Sequence, residues 1–266
     1  MARLSVGKAW EEGMAFVGRE SALLLPVAML FIAVPAFAGQ AMMPPELVAW
    51  IENGGKGAMP DVPASFWLLA LVANIVELFG ALGVLALALR PGISVGEALR
   101  LAMTRAPILI GAFLLFSALV AGVVLVAALV VGALAAISAT LAYGLAALMV
   151  VAAVAGSVVL TGRLIMLYPV VIDMALGVRD SLRASWRMTA GHALRLLGFL
   201  VAIIVLSFIV SGAAQLVSGV LFGLMMDREV ARTVAMGVGI AVSTVILVYM
   251  LATLARLYRQ LQPADA

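Results

Sequence analysis

Long apolar stretches separated by short charged or turn-forming segments dominate the chain. A helix needs about 20 largely apolar residues to cross ~30 Å of hydrocarbon. This requirement predicts a first span over residues 22–42 and a second over residues 66–89, separated by a loop rich in proline and glycine. It also predicts spans over residues 193–224 and 231–254. Each of these stretches is long enough to cross a bilayer once.

The longest apolar stretch, residues 106–162, carries no charge. As one straight helix it would measure roughly 85 Å at about 1.5 Å per residue, far more than a bilayer requires. It is therefore predicted to form two spans, with the break between residues 132 and 138. The total is six spans, and the fold class is an all-α integral membrane protein.

The composition agrees with this interpretation. Hydrophobic residues make up 66% of the chain and charged residues 11%, with a mean hydropathy of +1.25. An ordinary soluble domain is about half apolar and about a quarter charged. No polar stretch reaches the ~50 residues of a small independent domain, so residues 1–266 are predicted to be one transmembrane domain. The absence of cysteine excludes disulfides and thiolate metal sites.

Basic residues are distributed unevenly between the two sides of the predicted membrane. Thirteen of the 16 Lys and Arg residues fall in the N-terminus, the 90–105 loop, the 163–195 segment and the C-terminus, which six spans place on one side. The positive-inside rule therefore predicts cytoplasmic termini, and a seventh span would remove this asymmetry. An Ala-, Leu-, Val- and Arg-rich composition with little lysine suggests a GC-rich bacterial genome, so the membrane is expected to be a bacterial cytoplasmic membrane. No basic patch with interleaved aromatics is present, so no nucleic-acid partner is expected.

A three-residue apolar pattern recurs in the basic segments with the spacing i, i+4, i+8. The three copies are Val6, Trp10 and Met14; Val95, Leu99 and Met103; and Val178, Leu182 and Trp186. Each copy precedes two predicted spans, which indicates three repeats, over residues 1–89, 90–174 and 175–266. Each repeat would contain an interfacial amphipathic helix and a transmembrane hairpin. Chance recurrence in a chain of biased composition is the alternative.

A basic stripe accompanies the third copy. Arg179, Arg183 and Arg187 share one helical face, and Arg195 follows nearby. Because an arginine near an anionic leaflet contributes about 1 kcal/mol, these four residues are candidates for contact with anionic phospholipid headgroups. The alternatives are that the charges serve topology alone or that they bind a soluble protein.

The same region resembles a known family. The residues are Arg-Leu-Ile-Met-Leu-Tyr-Pro-Val-Val-Ile-Asp at 163–173 and Val-Arg-Asp-Ser-Leu-Arg-Ala-Ser-Trp-Arg-Met-Thr-Ala-Gly-His at 178–192. They resemble the signature of the glycerophosphodiester phosphodiesterase membrane-domain family. The resemblance implies a six-span protein of the bacterial inner membrane, without the catalytic domain to which some members are fused. It implies no particular reaction.

No enzymatic chemistry is evident in the sequence. His192 is the sole histidine, whereas phosphodiester hydrolysis of the fused type would need a histidine pair and a set of metal-binding carboxylates. No phosphate-binding loop, zinc motif or nucleophile elbow occurs. We therefore predict no catalytic residue, no metal site and no cofactor.

One acidic residue lies within a predicted span. Glu77 is near the middle of the second span, where an acid costs about 2.5–3.5 kcal/mol on insertion scales, and Asn74 shares its helical face. Arg163 would be its partner if the fourth helix continued through Pro169; if that helix ended near Gly162, Arg163 would instead extend to the interface. A structural pair or protonated acid, a proton- or ion-coupled role, and ligand binding are the alternatives for Glu77.

A small and polar stripe marks the fifth span. Gln215 lies on it, four residues after Ser211 and four before Gly219. Such a stripe permits close helix packing, or it lines a cavity, and both need the same small residues.

Together these patterns predict a non-enzymatic, lipid-associated or membrane-organising protein whose partner is anionic phospholipid. The alternative is a transporter or channel for a small solute, ion or lipid, using the intramembrane residues Asn74, Glu77, Arg163 and Gln215. Either protein could be oligomeric, which the sequence leaves open.

Overall fold

A computed structural model describes residues 4–262 of the chain, and within them the only regular structure is helical. Six helices are long and apolar enough to cross a membrane, which confirms the predicted all-α, six-span class.

The first span is one continuous helical segment, Val6–Ala41, made of α1 (Val6–Ala28), a π-helical turn (Met29–Ala33) and α2 (Val34–Ala41). A short helix, α3 (Pro45–Glu52), lies in the loop that follows. The other elements are α4 (Ala64–Leu89), α5 (Val95–Ala135), α6 (Ala139–Leu164), α7 (Leu167–Asp173), α8 (Val178–Met188), α9 (Ala193–Gly223) and α10 (Arg228–Leu261).

The predicted span boundaries agree with these helices where turn signals are present. α5 ends at Ala135 and the Ser138 hydroxyl accepts from the backbone N–H of Leu141 to cap α6, so the break falls in the predicted segment. The first and third spans begin well before the predicted apolar stretches, and the sixth span ends well after its stretch. In each case the helix continues through charged residues.

All three copies of the apolar pattern mark the start of a helix. α1, α5 and α8 begin at Val6, Val95 and Val178. Ser94 and Glu97 form a reciprocal capping box on α5, which satisfies two backbone N–H groups that have no partner within the helix. Only α8 is a separate short helix; the other two predicted interfacial helices continue directly into spans. The threefold repeat itself stays a prediction.

The three copies of the apolar pattern lie partly against the protein core, and their contact with lipid headgroups stays a prediction. The first residue of every copy packs against the core, as do Trp10 and Leu182, whereas the last residue of every copy is exposed. Trp10, for example, packs against Tyr249 of α10 with ring centroids 6.4 Å apart. Neighbouring helices therefore cover part of the apolar pattern, and its last residues stay exposed.

Close helix packing holds the first span against α4 and α10. A Cβ added at Gly13 would lie 2.7 Å from Thr253 Oγ1, and one at Gly80 would lie 2.8 Å from Phe31 Cβ. Such approaches require glycine, because any side chain would separate the helix backbones.

Five spans surround a central space. α4 contacts α5, α5 contacts α6, α6 contacts α9, α9 contacts α10, and α10 returns to α4. The short helix α7 packs against α4, α5 and α10 at one end of this ring. Ser5 and Gln260 are hydrogen bonded at that end, and the Asp173 carboxylate accepts from Tyr258 and Gln262. We call this end of the ring, which contains α7, Ser5 and Gln260, the basic end.

Candidate functional site

The central space is a cavity of about 660 Å³. Its walls are mostly Leu, Ile, Met and Phe side chains from the surrounding spans, with Tyr168 of α7 and Leu182 of α8 from the basic end. Several lining residues, including Asn74 and Phe113, are exposed, so the cavity communicates with the outside of the bundle. Its volume falls in the range of about 300–1,000 Å³ typical of small-molecule sites.

Five polar side chains line this cavity: Asn74, Glu77, Ser157, Thr161 and Tyr168. The sequence predicted the first two as one polar patch, and the structure places them together. It did not predict the other three. Serine and threonine are common in membrane helices, so Ser157 and Thr161 do not stand out in the sequence. A single tyrosine beside a proline likewise does not indicate a cavity.

The hydroxyls on the α6 wall are oriented by their own helix. Ser157 donates to the Val154 carbonyl and Thr161 to the Ser157 carbonyl, each at 2.8 Å. Asn74 likewise donates through Nδ2 to the Ala70 carbonyl at 2.7 Å. These bonds use donors and leave oxygen lone pairs as acceptors.

Glu77 has no hydrogen bond or ion pair with any part of the chain between residues 4 and 262. Its carboxyl lies near the middle of α4 and is partly buried. An acid at this depth needs protein, water or a ligand to face. The cavity beside Glu77 provides the space for water or a ligand.

Arg163 is not the partner of Glu77, which corrects the proposed pair. α6 ends at Leu164 and two residues separate it from α7, so Arg163 lies at a helix end. Its guanidinium stacks on the Trp186 ring at 5.0 Å, and Nη1 donates to the Trp186 carbonyl at 3.3 Å. Cation–π and hydrogen-bonding contacts therefore hold it on α8.

The residues that carry the family resemblance form a clamp between α6 and α8. The Ser185 hydroxyl donates to the Arg163 carbonyl at 2.9 Å, and the Thr189 hydroxyl lies 3.1 Å from that carbonyl and 2.9 Å from the Ser185 carbonyl, to either of which it can donate. The last carbonyls of a helix lack partners within it, so the Ser185 hydroxyl, with the Thr189 hydroxyl beside it, satisfies an acceptor exposed by the break before α7. The motif thus has a structural role that is visible in the described residues.

Gln215 lies in a separate small cavity of about 140 Å³ between α2, α9 and α10, together with Gln40, Ser211 and Ser243. A Cβ at Gly239 would be 3.3 Å from the Gln215 Cβ, which indicates close packing of α9 on α10. The four intramembrane residues predicted from the sequence therefore lie in three different places, and only Asn74 and Glu77 share one.

A third concave surface lies at the basic end. Arg183 and Arg187 of α8 line a groove of about 410 Å³, beside the apolar side chains of Met174, Leu176 and Met188. We call it the arginine groove. Asp180 and Ala184 complete its lining.

The other two candidate arginines lie outside the arginine groove. Arg179 and Arg195 are both exposed, and neither belongs to its lining. The predicted stripe of basic residues therefore divides into two that share a concavity with apolar side chains and two that do not.

Within residues 4–262, no group of three or more His, Asp and Glu residues is placed to hold a metal ion. The His192 Nδ1 lies 3.2 Å from the Ala190 carbonyl, at the turn before α9.

The chain belongs to the family described as Domain of unknown function (DUF7847), whose model matches residues 4–261. The match covers all six spans, the central cavity, the arginine groove and the α6–α8 clamp. No curated protein and no solved structure matches the chain.

Proposed function

We propose that this protein is a non-enzymatic, lipid-associated protein that binds anionic phospholipid in the arginine groove. The observation that supports this is the pairing of Arg183 and Arg187 with Met174, Leu176 and Met188 in one concavity. A guanidinium matches phosphate in geometry and charge, and the apolar side chains suit the glycerol and upper acyl region of the same lipid.

The location of the groove is consistent with this proposal. It lies at the basic end, which the positive-inside rule assigns to the cytoplasmic face of a bacterial inner membrane. Anionic lipids in that leaflet attract basic residues near the surface, and the attraction falls off within a Debye length. The same arginines would therefore orient the protein and retain lipid.

Native mass spectrometry of gently extracted protein tests the proposal. The variant Arg183→Gln/Arg187→Gln is compared with Arg179→Gln/Arg195→Gln, which removes the same charge from exposed positions outside the groove. At about 1.5 kcal/mol for each guanidinium–phosphate contact, the groove variant is expected to bind phosphatidylglycerol or cardiolipin about 100-fold more weakly. The control variant should stay close to wild type. Equal losses in both variants would reduce the effect to general charge and contradict the proposal.

The central cavity supports a second candidate function, transport of a small solute or lipid. Its volume and the unpartnered acid at Glu77 are the observations that favour it. Arg163 and Gln215 lie outside the cavity lining, so such a path would depend on Asn74 and Glu77. Uptake by protein-containing vesicles, compared with vesicles carrying Glu77→Gln, tests this alternative.

A further inference from the structure

We propose that the central cavity binds an amphiphilic organic ammonium ion, with the Glu77 carboxylate as its counter-ion. This site is separate from the arginine groove, and its chemistry is the opposite: an acid and hydrogen-bond acceptors in place of guanidinium groups. The inference does not depend on the proposed function, because the two surfaces share no lining residue.

The cavity offers several hydrogen-bond acceptors beside two donors, the second N–H of Asn74 and the Tyr168 hydroxyl. Ser157, Thr161 and Asn74 donate to backbone carbonyls of their own helices, which leaves their oxygens to accept. Glu77 adds carboxylate oxygens that no group within residues 4–262 occupies. A ligand that complements such a site brings N–H donors, and an ammonium brings up to three.

Aromatic side chains on the cavity wall favour the same charge. Phe113, Phe116 and Tyr168 all contribute to the lining, and the Phe113 and Tyr168 rings meet edge to face with centroids 6.2 Å apart. Aromatic faces attract cations by about 0.5–2 kcal/mol, with the larger value in sites removed from water. The carboxylate and the rings thus line one cavity, and both favour a cationic ligand.

The remaining wall specifies the rest of the ligand. Leu, Ile and Met side chains make up most of it, so the ligand has a substantial apolar part. No Lys or Arg lines the cavity. Arg163, the basic residue of α6, lies outside the lining, with its guanidinium stacked on the Trp186 ring. Nothing in this lining would neutralise a phosphate, so the ligand is an amine without a phosphate group, not an aminophospholipid.

Binding of tritiated dodecylammonium tests this site. The full chain is placed in phosphatidylcholine nanodiscs, and empty nanodiscs give the contribution of partitioning into lipid. We expect saturable binding that weakens at least tenfold in Glu77→Gln. Two matched variants accompany it: Glu77→Asp, which keeps the charge and is expected to bind within about threefold of wild type, and Glu52→Gln, which removes an exposed acid from α3 and should leave binding unchanged.

Competition identifies the chemical group that is recognised. Dodecanol has the same chain without the charge and should compete at least tenfold less well than unlabelled dodecylammonium. Lysophosphatidylethanolamine carries an ammonium together with a phosphate and should also compete poorly. Equal binding by Glu77→Gln and wild type, equal competition by dodecanol, or strong competition by the lysolipid would each overturn the proposal. Because Glu77→Asp retains the acid, a loss in both Glu77 variants would also count against the charge-based site.

Discussion

The contact between the first span and α4 gives the sharpest test of the packing. Gly80 lies against the π-helical turn, where the Val34 N–H bonds to the Met29 carbonyl. A Cβ at Gly80 would be 2.8 Å from Ile32 Cγ1, 2.8 Å from Phe31 Cβ and 3.0 Å from the Phe31 carbonyl carbon. The first atom belongs to the β-branched Ile32 side chain, which is stiff at χ1, and the positions of the other two are fixed by the backbone. Gly80→Ala therefore requires the two helices to separate.

The magnitude follows from comparison with a glycine in open surroundings. Gly212 on α9 has no heavy atom within 4 Å of an added Cβ. Replacing either glycine by alanine brings the same gain in helix propensity, up to about 1 kcal/mol, so that contribution cancels between the variants. What remains is overpacking at Gly80, about 1–3 kcal/mol of unfolding free energy.

Unfolding in mixed micelles by titration with a denaturing detergent, followed by tryptophan fluorescence, measures this difference. Gly80→Ala is expected to unfold at lower detergent fraction than wild type, and Gly212→Ala at an equal or higher fraction. The reasoning would be refuted if the two alanine variants had the same unfolding free energy, because the close approach would then carry no packing constraint.

Two hydrogen-bonded contacts at the basic end give further predictions. Ser185→Ala combined with Thr189→Val removes both hydroxyls from the Arg163 carbonyl and should lower the free energy of unfolding by about 1–3 kcal/mol, measured in the same titration. An unchanged midpoint would show that water satisfies this carbonyl equally well. Tyr258→Phe removes a 2.8 Å bond to the Asp173 carboxylate and should cost about 1.5–3 kcal/mol, since the acceptor is charged. Full stability in this variant would argue against a folded-state bond.

Much of the architecture could be predicted from the sequence. Apolar length determines the number of spans, and the helix break between α5 and α6 falls at residues 136–138, inside the predicted segment. The repeated pattern also located helix starts, since α1, α5 and α8 begin at its first residue. These features depend on local physics: hydrocarbon thickness, capping groups and the limited length of a straight span.

The assembly of the sites depended on the tertiary structure. Similar depth suggested Glu77 as the partner of Arg163, but a helix end at Leu164 and the ring of Trp186 place that arginine elsewhere. The cavity combines residues of α4, α6 and α7, whose rotations about their axes no local pattern specifies.

Hydropathy could not say which apolar faces meet protein and which meet lipid. Trp10 packs inside the bundle, whereas Leu119 in the outer half of α5 is 65% exposed, and both are apolar. Lipid tails are as apolar as leucine, so hydrophobicity alone does not select between these surroundings. The helix faces that contact protein also make close contacts, such as Gly80 with Phe31, and hydrogen bonds, such as Ser185 with Arg163. They depend on how helices fit together in three dimensions, which is why only the tertiary structure decided where the cavity lies.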